Sequence, residues 1–332
     1  MVTSDDRSAE EHLIARYFRP LATAPGAFGL ADDAAIVTPP PGCDLVLTTD
    51  GVIAGVHFFP DDPPGDIARK ALRMNLSDLA AKGATPIGFL LSVALPSAIE
   101  EAWIAAFVTG LGEDVTLYGC PLLGGDTDRT PGPIAVSITA FGSVPHGAMV
   151  RRATAKAGNI ILVTGTIGDS ALGVLLRRDE GLAKQWHLTE AMTAHLKARY
   201  LLPQPRNALA TTVLQHASAA MDVSDGLAGD LAKLCRASGV AAEIDVARVP
   251  LSDAARAAVA TEPARMETVL TGGDDYEIVL TLSSDKLAAF QTAAREAGVA
   301  VTEIGHVVAG QGTRFNRDGK ALIFARSSYS HF

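Results

Sequence analysis

The chain has 332 residues and a formal net charge of −9, with 48% hydrophobic and 20% charged residues. This composition excludes wholesale disorder, and three widely spaced cysteines without a CxxC pair exclude a disulfide scaffold or a zinc finger. The acidic balance, with no basic patch, argues against nucleic acid or an anionic membrane surface as a partner. The polar N-terminal segment, and the lack of any apolar run near the roughly 20 residues of a membrane span, predict a cytoplasmic protein.

Apolar periodicity and turn residues predict the elements of the first half. A short helix covers Glu10 to Phe18, and the loop after it carries Asp32-Asp33. The other elements are strands at 44–49, 87–95 and 134–144 and helices at 63–83 and 97–116. A segment at 145–158, with Gly, basic and small residues, is the predicted junction, so we expect domains at 1–147 and 148–332.

The second half opens with the buried strand NIILVT at 159–164. Further strands are predicted before Asp222 and at 240–246, 276–282 and 299–308. Helices are predicted from the turn at 165–169 to 178, and at 189–200, 206–217, 227–238 and 285–297. Strands and helices intermix without strict βαβ alternation, which predicts an α/β or α+β protein with mixed sheets.

Aspartates recur in small-residue turns that we place at the ends of strands or helices. Five such turns occur: Asp32-Asp33, Thr48-Thr49-Asp50, Gly124-Gly125-Asp126, Asp222-Val-Ser-Asp225 and Gly272-Gly273-Asp274-Asp275. On the helix 63–83, Asn75 and Asp78 are three residues apart and share one face. Their neighbours are apolar, and an unpaired carboxylate there would be costly.

Carboxylates gathered in one cleft repel each other unless cations neutralise them, and oxygen ligands select Mg²⁺, Mn²⁺ or Ca²⁺. Because Mg²⁺ bridges carboxylates to substrate phosphates, the pattern indicates phosphoryl transfer from a nucleotide. The alternative for each motif alone is a turn or a helix cap. For Asp32-Asp33 that alternative is a solvated loop, and for Asp225 it is the N-cap of the following helix.

Familiar nucleotide motifs are absent, since the chain has neither GxxxxGK[ST] nor GxGxxG. Gly165-Thr-Ile-Gly168 lies between a strand and a helix, a weak signal for a phosphate contact. His57 follows the Asp50 motif in a glycine-containing loop, with an ordinary surface histidine as the alternative. The pair Arg151-Arg152 suits phosphate oxygens or, equally, a solvated linker.

Eight segments in order along the chain form a specific combination. They are ADDAAIV (31–37), LTTDGVIAGVHF (47–58), ARKALRMNLSDLAAKGATP (68–86), LLGGDTDR (122–129), VTGTIGDSALG (163–173), MDVSDGLAGDL (221–231), TGGDDYEIVLT (271–281) and the terminal Tyr329-Ser330-His331-Phe332. In this set the chain resembles the thiamine-monophosphate kinase family. That family shares a superfamily with aminoimidazole ribonucleotide synthetase, selenophosphate synthetase and HypE.

The resemblance implies ATP-dependent phosphorylation of thiamine monophosphate to thiamine diphosphate, with several Mg²⁺ ions and with ATP as co-substrate. It also implies a homodimer with a two-domain PurM-like fold. In that fold an N-terminal domain binds ATP and Mg²⁺ and dimerises, and a C-terminal domain completes the ATP and substrate cleft. The implied metal ligands are Asp33, Thr48, Thr49, Asp50, Asp78, Asp126, Asp222 and Asp225. The implied ATP contacts are Gly125, Asp126, Arg152 and Ser224, and His57 falls on a substrate-contacting position.

Two departures from the family pattern fall in the acceptor pocket. Asp274 stands where the family usually has Glu, which keeps the charge and shortens the side chain by one methylene. Arg326 stands where the family often has a Trp that packs on the substrate ring, with Phe324 and Tyr329 nearby. We assign Asp274 and Arg326 to the acceptor pocket and expect the ATP and metal machinery to be unaffected.

The sequence leaves two other hypotheses about function open. A related ATP-dependent synthetase of the same superfamily would act on a different acceptor. A metal- or nucleotide-binding regulator would bind ATP without turnover. The retained carboxylates favour an enzyme, since a non-catalytic descendant usually loses some of them.

Overall fold

A computed structural model describes residues 8–325 and residue 328 of the chain. Two units emerge from the contacts within it. The first comprises the residues up to Leu79 together with Thr85–Gly147, and the second comprises Ala80–Ala84 and the residues from Ala148 onward.

The first unit is built on a four-stranded mixed sheet. Its elements are α1 (Ala9–Leu13, continued by a π-helical turn at Ile14–Phe18), β1 (Cys43–Ile53), α2 (Pro64–Ala81), β2 (Thr85–Pro96), α3 (Glu101–Tyr118), β3 (Leu122–Thr130) and β4 (Ala135–Pro145). The strand order is β1-β4-β2-β3, with β2 and β3 parallel and the other pairs antiparallel.

The helix α2 owes its place to burial and to close packing on α3. Leu72, Leu76 and Leu79 have no exposed surface. A Cβ atom on Gly110 of α3 would lie 2.4 Å from the Cα atom of Gly65, so the two helices meet at a pair of glycines. This packing fixes the helix that carries Asp78.

The second unit is built on a seven-stranded mixed sheet. Its elements are β5 (Ile160–Thr164), α4 (Asp169–Arg178), α5 (Gly181–Gln185), α6 (Glu190–Leu201), α7 (Ala210–His216), β6 (Ala219–Val223), α8 (Leu227–Ser238), β7 (Ala241–Asp245), α9 (Asp253–Thr261), α10 (Arg265–Thr271), β8 (Glu277–Leu282), α11 (Leu287–Glu296), β9 (Val301–Val308), β10 (Gly312–Arg317) and β11 (Lys320–Ala321). The strand order is β11-β10-β7-β9-β5-β8-β6, and only β7 and β10 are a parallel pair among these strands.

The central strands of this sheet are buried on both faces, which explains their continuous apolar sequences. On β5, Ile161 and Val163 belong to one core cluster, whereas Ile160 and Leu162 belong to another. The strand β8 is likewise buried at every residue. Mixed sheets in both units confirm the predicted α/β class.

Several sequence-based boundaries were wrong or missing. We predicted that Asp50 and Asp126 follow strand ends, but both lie inside strands because β1 and β3 keep pairing with β4 and β2 beyond them. The helices α9 and α10 and the strand β10 were not predicted. Within residues 8–325, no helix is both long and apolar enough to cross a membrane.

Candidate active site

Thr48 and Asp78 form the first group of predicted ligands that the fold brings together. Thr48 lies on β1 and donates its Oγ1 hydrogen to Oδ2 of Asp78 on α2, with 2.5 Å between the oxygens. Asp50 shares the face of β1 with Thr48, because side chains two residues apart on a strand point the same way. Asp50 and Asp78 are both half-buried.

Thr49 points to the opposite face of β1. Its hydroxyl donates to the carbonyl oxygen of Ile138 at 3.1 Å and accepts from the hydroxyl of Thr139 at 3.0 Å. Two adjacent strand residues cannot present both side chains to one ion. The structure therefore separates the Thr49 hydroxyl from the pair formed by Thr48 and Asp78.

A cavity of about 910 Å³ in the first unit collects a second group of predicted ligands. Asp33, Gly125 and Asp126 line it together with the hydroxyls of Ser137 and Thr139. Apolar residues form much of the remaining wall, among them Phe18, Ala27, Leu30, Leu91, Leu123 and Phe141. Carboxylates beside an apolar wall suit a ligand that combines a flat ring with an anionic group only where a divalent cation lies between the like charges.

Gly125 is required by the close approach of two strands at this cavity. A Cβ atom there would lie 1.8 Å from the carbonyl oxygen of Leu91, which excludes any larger residue without a backbone shift. Next to it, the exposed Asp126 accepts a hydrogen bond from the backbone N–H of Thr127 at 3.0 Å. Asp33 is exposed in its loop, and its own N–H donates to Asp32.

His57 lies in the loop after β1 with a defined tautomer. The backbone N–H of Ile53 donates to its Nδ1 at 3.1 Å, so Nδ1 is an acceptor and the neutral ring carries its proton on Nε2. The buried Lys70 fixes the backbone of the loop by donating to the carbonyl oxygen of His57 at 2.9 Å. The imidazole ring is half-buried, and its Nε2–H group is a hydrogen-bond donor, as an anionic substrate group requires.

In the second unit, Asp222 lies on β6 and is 6% exposed, and Ser224 and Asp225 follow in the loop before α8. The buried Asp230 holds this loop, because its Oδ2 accepts from the backbone N–H groups of Ser224 at 3.0 Å and Asp225 at 2.8 Å. The Asp225 carboxylate pairs with Lys233, which also contacts Asp230 at 2.8 Å. The N-cap of α8 is Gly226, so the capping alternative for Asp225 was wrong.

The loop at 272–276 is joined to the loop at 222–226. The N–H of Asp274 donates to the carbonyl oxygen of Ser224 at 2.8 Å, and the N–H of Tyr276 donates to that of Val223 at 2.9 Å. Asp274 and Tyr276 both have positive φ, 63° and 51°, which is uncommon outside glycine. Burial raises the pKa of the intervening Asp275 carboxyl well above its ordinary value, although the Gly168 N–H bound to it acts the other way.

The remaining predicted site residues do not belong to the groups of residues described above. Arg152 has an exposed side chain, and its carbonyl oxygen accepts from the hydroxyl of Ser238 at 2.8 Å. Arg326 and Tyr329 lie outside the described residues. The weak signal for a phosphate contact at Gly165–Gly168 gains no support, since the N–H groups of Gly165, Ile167 and Gly168 already donate to Ala300, Pro250 and Asp275.

Among the residues that the structure describes, no group of three or more His, Cys, Asp or Glu side chains is gathered tightly enough to hold a metal ion. The donors that are brought together are carboxylate and hydroxyl oxygens, the ligand type that Mg²⁺ prefers. Mg²⁺ is usually held by one or two carboxylates plus waters and substrate phosphates, so this donor set fits the ion.

Sequence reasoning missed the residues that support the two loops of the second unit. Asp230, Lys233 and Glu277 lie beside predicted ligands in the sequence, yet none was singled out. The available signal was a charged residue within an otherwise apolar segment, as at Glu277, which begins the fully buried β8.

Comparisons with known proteins identify the family and the fold of the chain. The N-terminal domain of AIR synthase related proteins matches residues 31–144, and the C-terminal domain of the same group matches residues 156–318. Together they cover most of the chain, which is therefore an AIR synthase related protein. HypE in complex with ATP shares the fold, with a TM-score of 0.79 at 19% identity over 97% of this chain and 96% of that one.

Relatives with higher sequence identity identify the family within this group. The thiamine-monophosphate kinase of Caulobacter vibrioides is 42% identical over 322 residues, covering 96% of this chain and 89% of the relative. That of Salmonella typhimurium is 39% identical over 327 residues, covering 97% and 98%. The crystal structure of the Stenotrophomonas maltophilia kinase has a TM-score of 0.82 at 36% identity, covering 96% and 98%. The chain belongs to the thiamine-monophosphate kinase family, a family of enzymes.

Proposed function

We propose that this enzyme transfers the γ-phosphoryl group of ATP directly to the phosphate of thiamine monophosphate, giving thiamine diphosphate and ADP. The observation that carries the proposal is near-full-length similarity to thiamine-monophosphate kinases. It includes a solved ThiL chain complexed with AMPPCP and TMP, which has a TM-score of 0.76 at 30% identity over 92% of this chain and 97% of that one. The cavity bounded by Asp33, Gly125 and Asp126 supports it.

The reaction needs no general base from the protein. The attacking group is a phosphate oxygen that is already ionised at neutral pH. It forms a bond to the γ-phosphorus while the bond from that phosphorus to the β,γ-bridging oxygen breaks, and ADP leaves with the electron pair. The difficulty is bringing two polyanions together in line, which positioning and charge neutralisation provide.

Mg²⁺, when bound, supplies this neutralisation between the phosphates. We propose Thr48, Asp50 and Asp78 as one set of its ligands, with Asp33 and Asp126 at the cavity and Asp222 and Asp225 in the second unit. Thr49 is not a member of the set with Thr48 and Asp78, because its hydroxyl lies on the other face of β1, where it accepts from the hydroxyl of Thr139 at the cavity.

Separate residues would contact the two substrates. We propose Gly125, Asp126, Arg152 and Ser224 for ATP. For thiamine monophosphate we propose His57, Asp274 and Arg326. The Nε2–H group of His57 suits a phosphate oxygen, and the carboxylate of Asp274 suits the cationic or N–H-bearing part of the acceptor.

We also propose that the enzyme is a homodimer formed through the first unit. The sheet of that unit leaves Leu47 and Ile53 of β1 and Leu90 of β2 exposed, at 59%, 39% and 37%. The two strands are separated by β4, and exposed apolar side chains on one face of a sheet favour association with a second apolar surface. The cytoplasmic location stays a prediction from the sequence.

Turnover with defined acceptors tests the proposed function. Purified protein is incubated with ATP, Mg²⁺ and thiamine monophosphate, and thiamine diphosphate and ADP are separated by chromatography. We expect equal amounts of the two products, and none of the diphosphate when free thiamine replaces the monophosphate. ATP binding without product from thiamine monophosphate would favour a related synthetase with a different acceptor.

A further inference from the structure

The strained loop at 272–276 rests on a buried ion network in the second unit. Glu277, directly after the loop, has no exposed surface and lies between two arginines. Its Oε1 accepts from Nη2 of Arg199 at 2.9 Å, and its Oε2 accepts from Nε of Arg206 at 2.6 Å. The Thr164 hydroxyl donates to Oε2 at 2.7 Å, so both carboxylate oxygens are held.

The same network also holds the backbone of the loop. Nη2 of Arg199 donates to the carbonyl oxygen of Asp275 at 3.1 Å, and the N–H of Gly168 contacts both carboxylate oxygens of Asp275 at 2.9 Å. The N–H of Ile278 donates to the Thr164 hydroxyl at 2.8 Å. The residues on either side of Tyr276, which are Asp275 and Glu277, are thus fixed by buried contacts.

The ion network requires glycine at position 165, because a side chain there would clash with it. A Cβ atom on Gly165 would lie 2.1 Å from Oε1 of Glu277 and 2.6 Å from Nη2 of Arg206. The glycine of the VTGTIGD motif therefore serves the ion pair, whereas the sequence suggested that it faces phosphate.

Positive φ at a non-glycine residue is energetically unfavourable and persists only where the surroundings impose it. Tyr276 is the clearer outlier, since aromatic residues rarely adopt this conformation. Its hydroxyl contacts the Asp274 carboxylate at 3.2 Å. Holding Tyr276 in this conformation therefore also sets the direction of Asp274.

We propose that Glu277, held by Arg206 and Arg199, is a positioning residue that imposes the strained conformation of the loop at 272–276 and thereby sets the affinity for the phosphate-bearing acceptor at Asp274. This inference rests on the proposed function. The neighbouring loop at 222–226 has its own support in Asp230, so the effect falls on the acceptor more than on ATP.

Arg206 is the residue to change, because removing Glu277 would leave two partly buried arginines facing each other. We expect Arg206→Met to raise KM for thiamine monophosphate by about tenfold and to change KM for ATP by less than about twofold. The conservative Arg206→Lys variant should restore part of the difference. Arg248→Met removes another Arg–Glu pair of the same unit, with Glu303 at 3.0 Å, and serves as the matched control.

Amide hydrogen exchange gives a readout that needs no turnover. In Arg206→Met, we expect faster exchange at the N–H groups of Asp274 and Tyr276, with Arg248→Met at the wild-type rate. A lower thermal midpoint with unchanged exchange at the loop and unchanged KM for the acceptor would overturn the inference, because the ion pair would then only stabilise the fold. Absence of kinase activity in the wild type would instead overturn the proposed function, and the exchange comparison would still decide whether the network positions the loop.

Discussion

Asp78 is the carboxylate that tests the proposed metal ligands most directly at the scale of single residues. Replacing it with Asn keeps its size and the contact to Thr48 but removes the charge. We expect kcat/KM of Asp78→Asn to fall by about 100-fold and the Mg²⁺ concentration for half-maximal activity to rise. Steady-state kinetics over a Mg²⁺ series measures both.

Asp66→Asn is the control for this variant, since Asp66 lies on the same helix and pairs with Arg69 at 2.7 Å. It should keep its activity. Full activity of Asp78→Asn at limiting Mg²⁺ would contradict the assignment of Asp78 to the metal.

Asp274 tests whether a negative charge serves the acceptor. Its φ of 63° is tolerated by Asn as well as by Asp, so Asp274→Asn removes the charge without disturbing the backbone. We expect KM for thiamine monophosphate to rise about tenfold, the loss of one charged hydrogen bond, with KM for ATP nearly unchanged. Equal rises in both KM values would mean that the carboxylate does not act on the acceptor specifically.

At the scale of elements, the buried carboxylate of Asp169 connects three helices, namely α4, α6 and α9. Asp169 opens α4 and accepts from Nε2 of His195 on α6 at 3.0 Å and from the hydroxyl of Ser252, the N-cap of α9. The hydrogen bond to Asp169 raises the pKa of His195 above its ordinary value of 6.5, although burial opposes the shift.

Because the pKa of His195 is higher in the folded state, its protonation stabilises the fold. That contribution is complete below the ordinary pKa of 6.5 and is lost as the pH rises through the folded-state value. The side chain is 43% exposed, so the effect is modest. We expect the thermal midpoint of the wild type to fall by about 1–2 °C more than that of His195→Gln above pH 6.5.

Thermal melts across this pH range measure the difference. His306→Gln, at an exposed histidine of β9, is the control and should follow the wild type. Identical pH profiles for His195→Gln and the wild type would contradict the coupling between α4 and α6.

At the scale of the whole molecule, the apolar face of the first sheet predicts the state of assembly. Leu47→Lys places a charge in that face, and we expect it to convert a dimer into a monomer of 34.5 kDa. Leu117→Lys, at a 67% exposed leucine of α3, is the control and should leave the dimer intact. Sedimentation or light scattering gives the masses, and the same mass for wild type and Leu47→Lys would contradict the proposed interface.

The fold was predictable where burial alone decides the structure. The strand β5 and the helix α2 were found because their apolar residues are continuous or periodic. The short helices α9 and α10 were missed because they are held by packing in the second unit, and the extension of β3 through Gly124-Gly125 was missed because pairing with β2 overrides the turn tendency of glycine.

The candidate site was predictable as residue types but not as geometry. The predicted strand at 44–49 already implies that Thr48 and Thr49 point to opposite faces, but the packing of α2 against the sheet decides that Thr48 is the one that meets Asp78. Likewise, the positive φ of Tyr276 and the two-arginine support of Glu277 depend on contacts far apart in sequence. Motif resemblance predicts the ligands, and tertiary contacts decide which of the predicted residues lie together.

The stereochemical course at phosphorus tests direct transfer most decisively. ATP made chiral at the γ-phosphorus with oxygen isotopes is turned over with thiamine monophosphate, and the configuration of the terminal phosphate of the product is determined. We predict inversion, as a single in-line displacement requires. Retention would contradict direct transfer and indicate a phosphorylated protein intermediate, and label recovered only as inorganic phosphate would contradict the kinase activity itself.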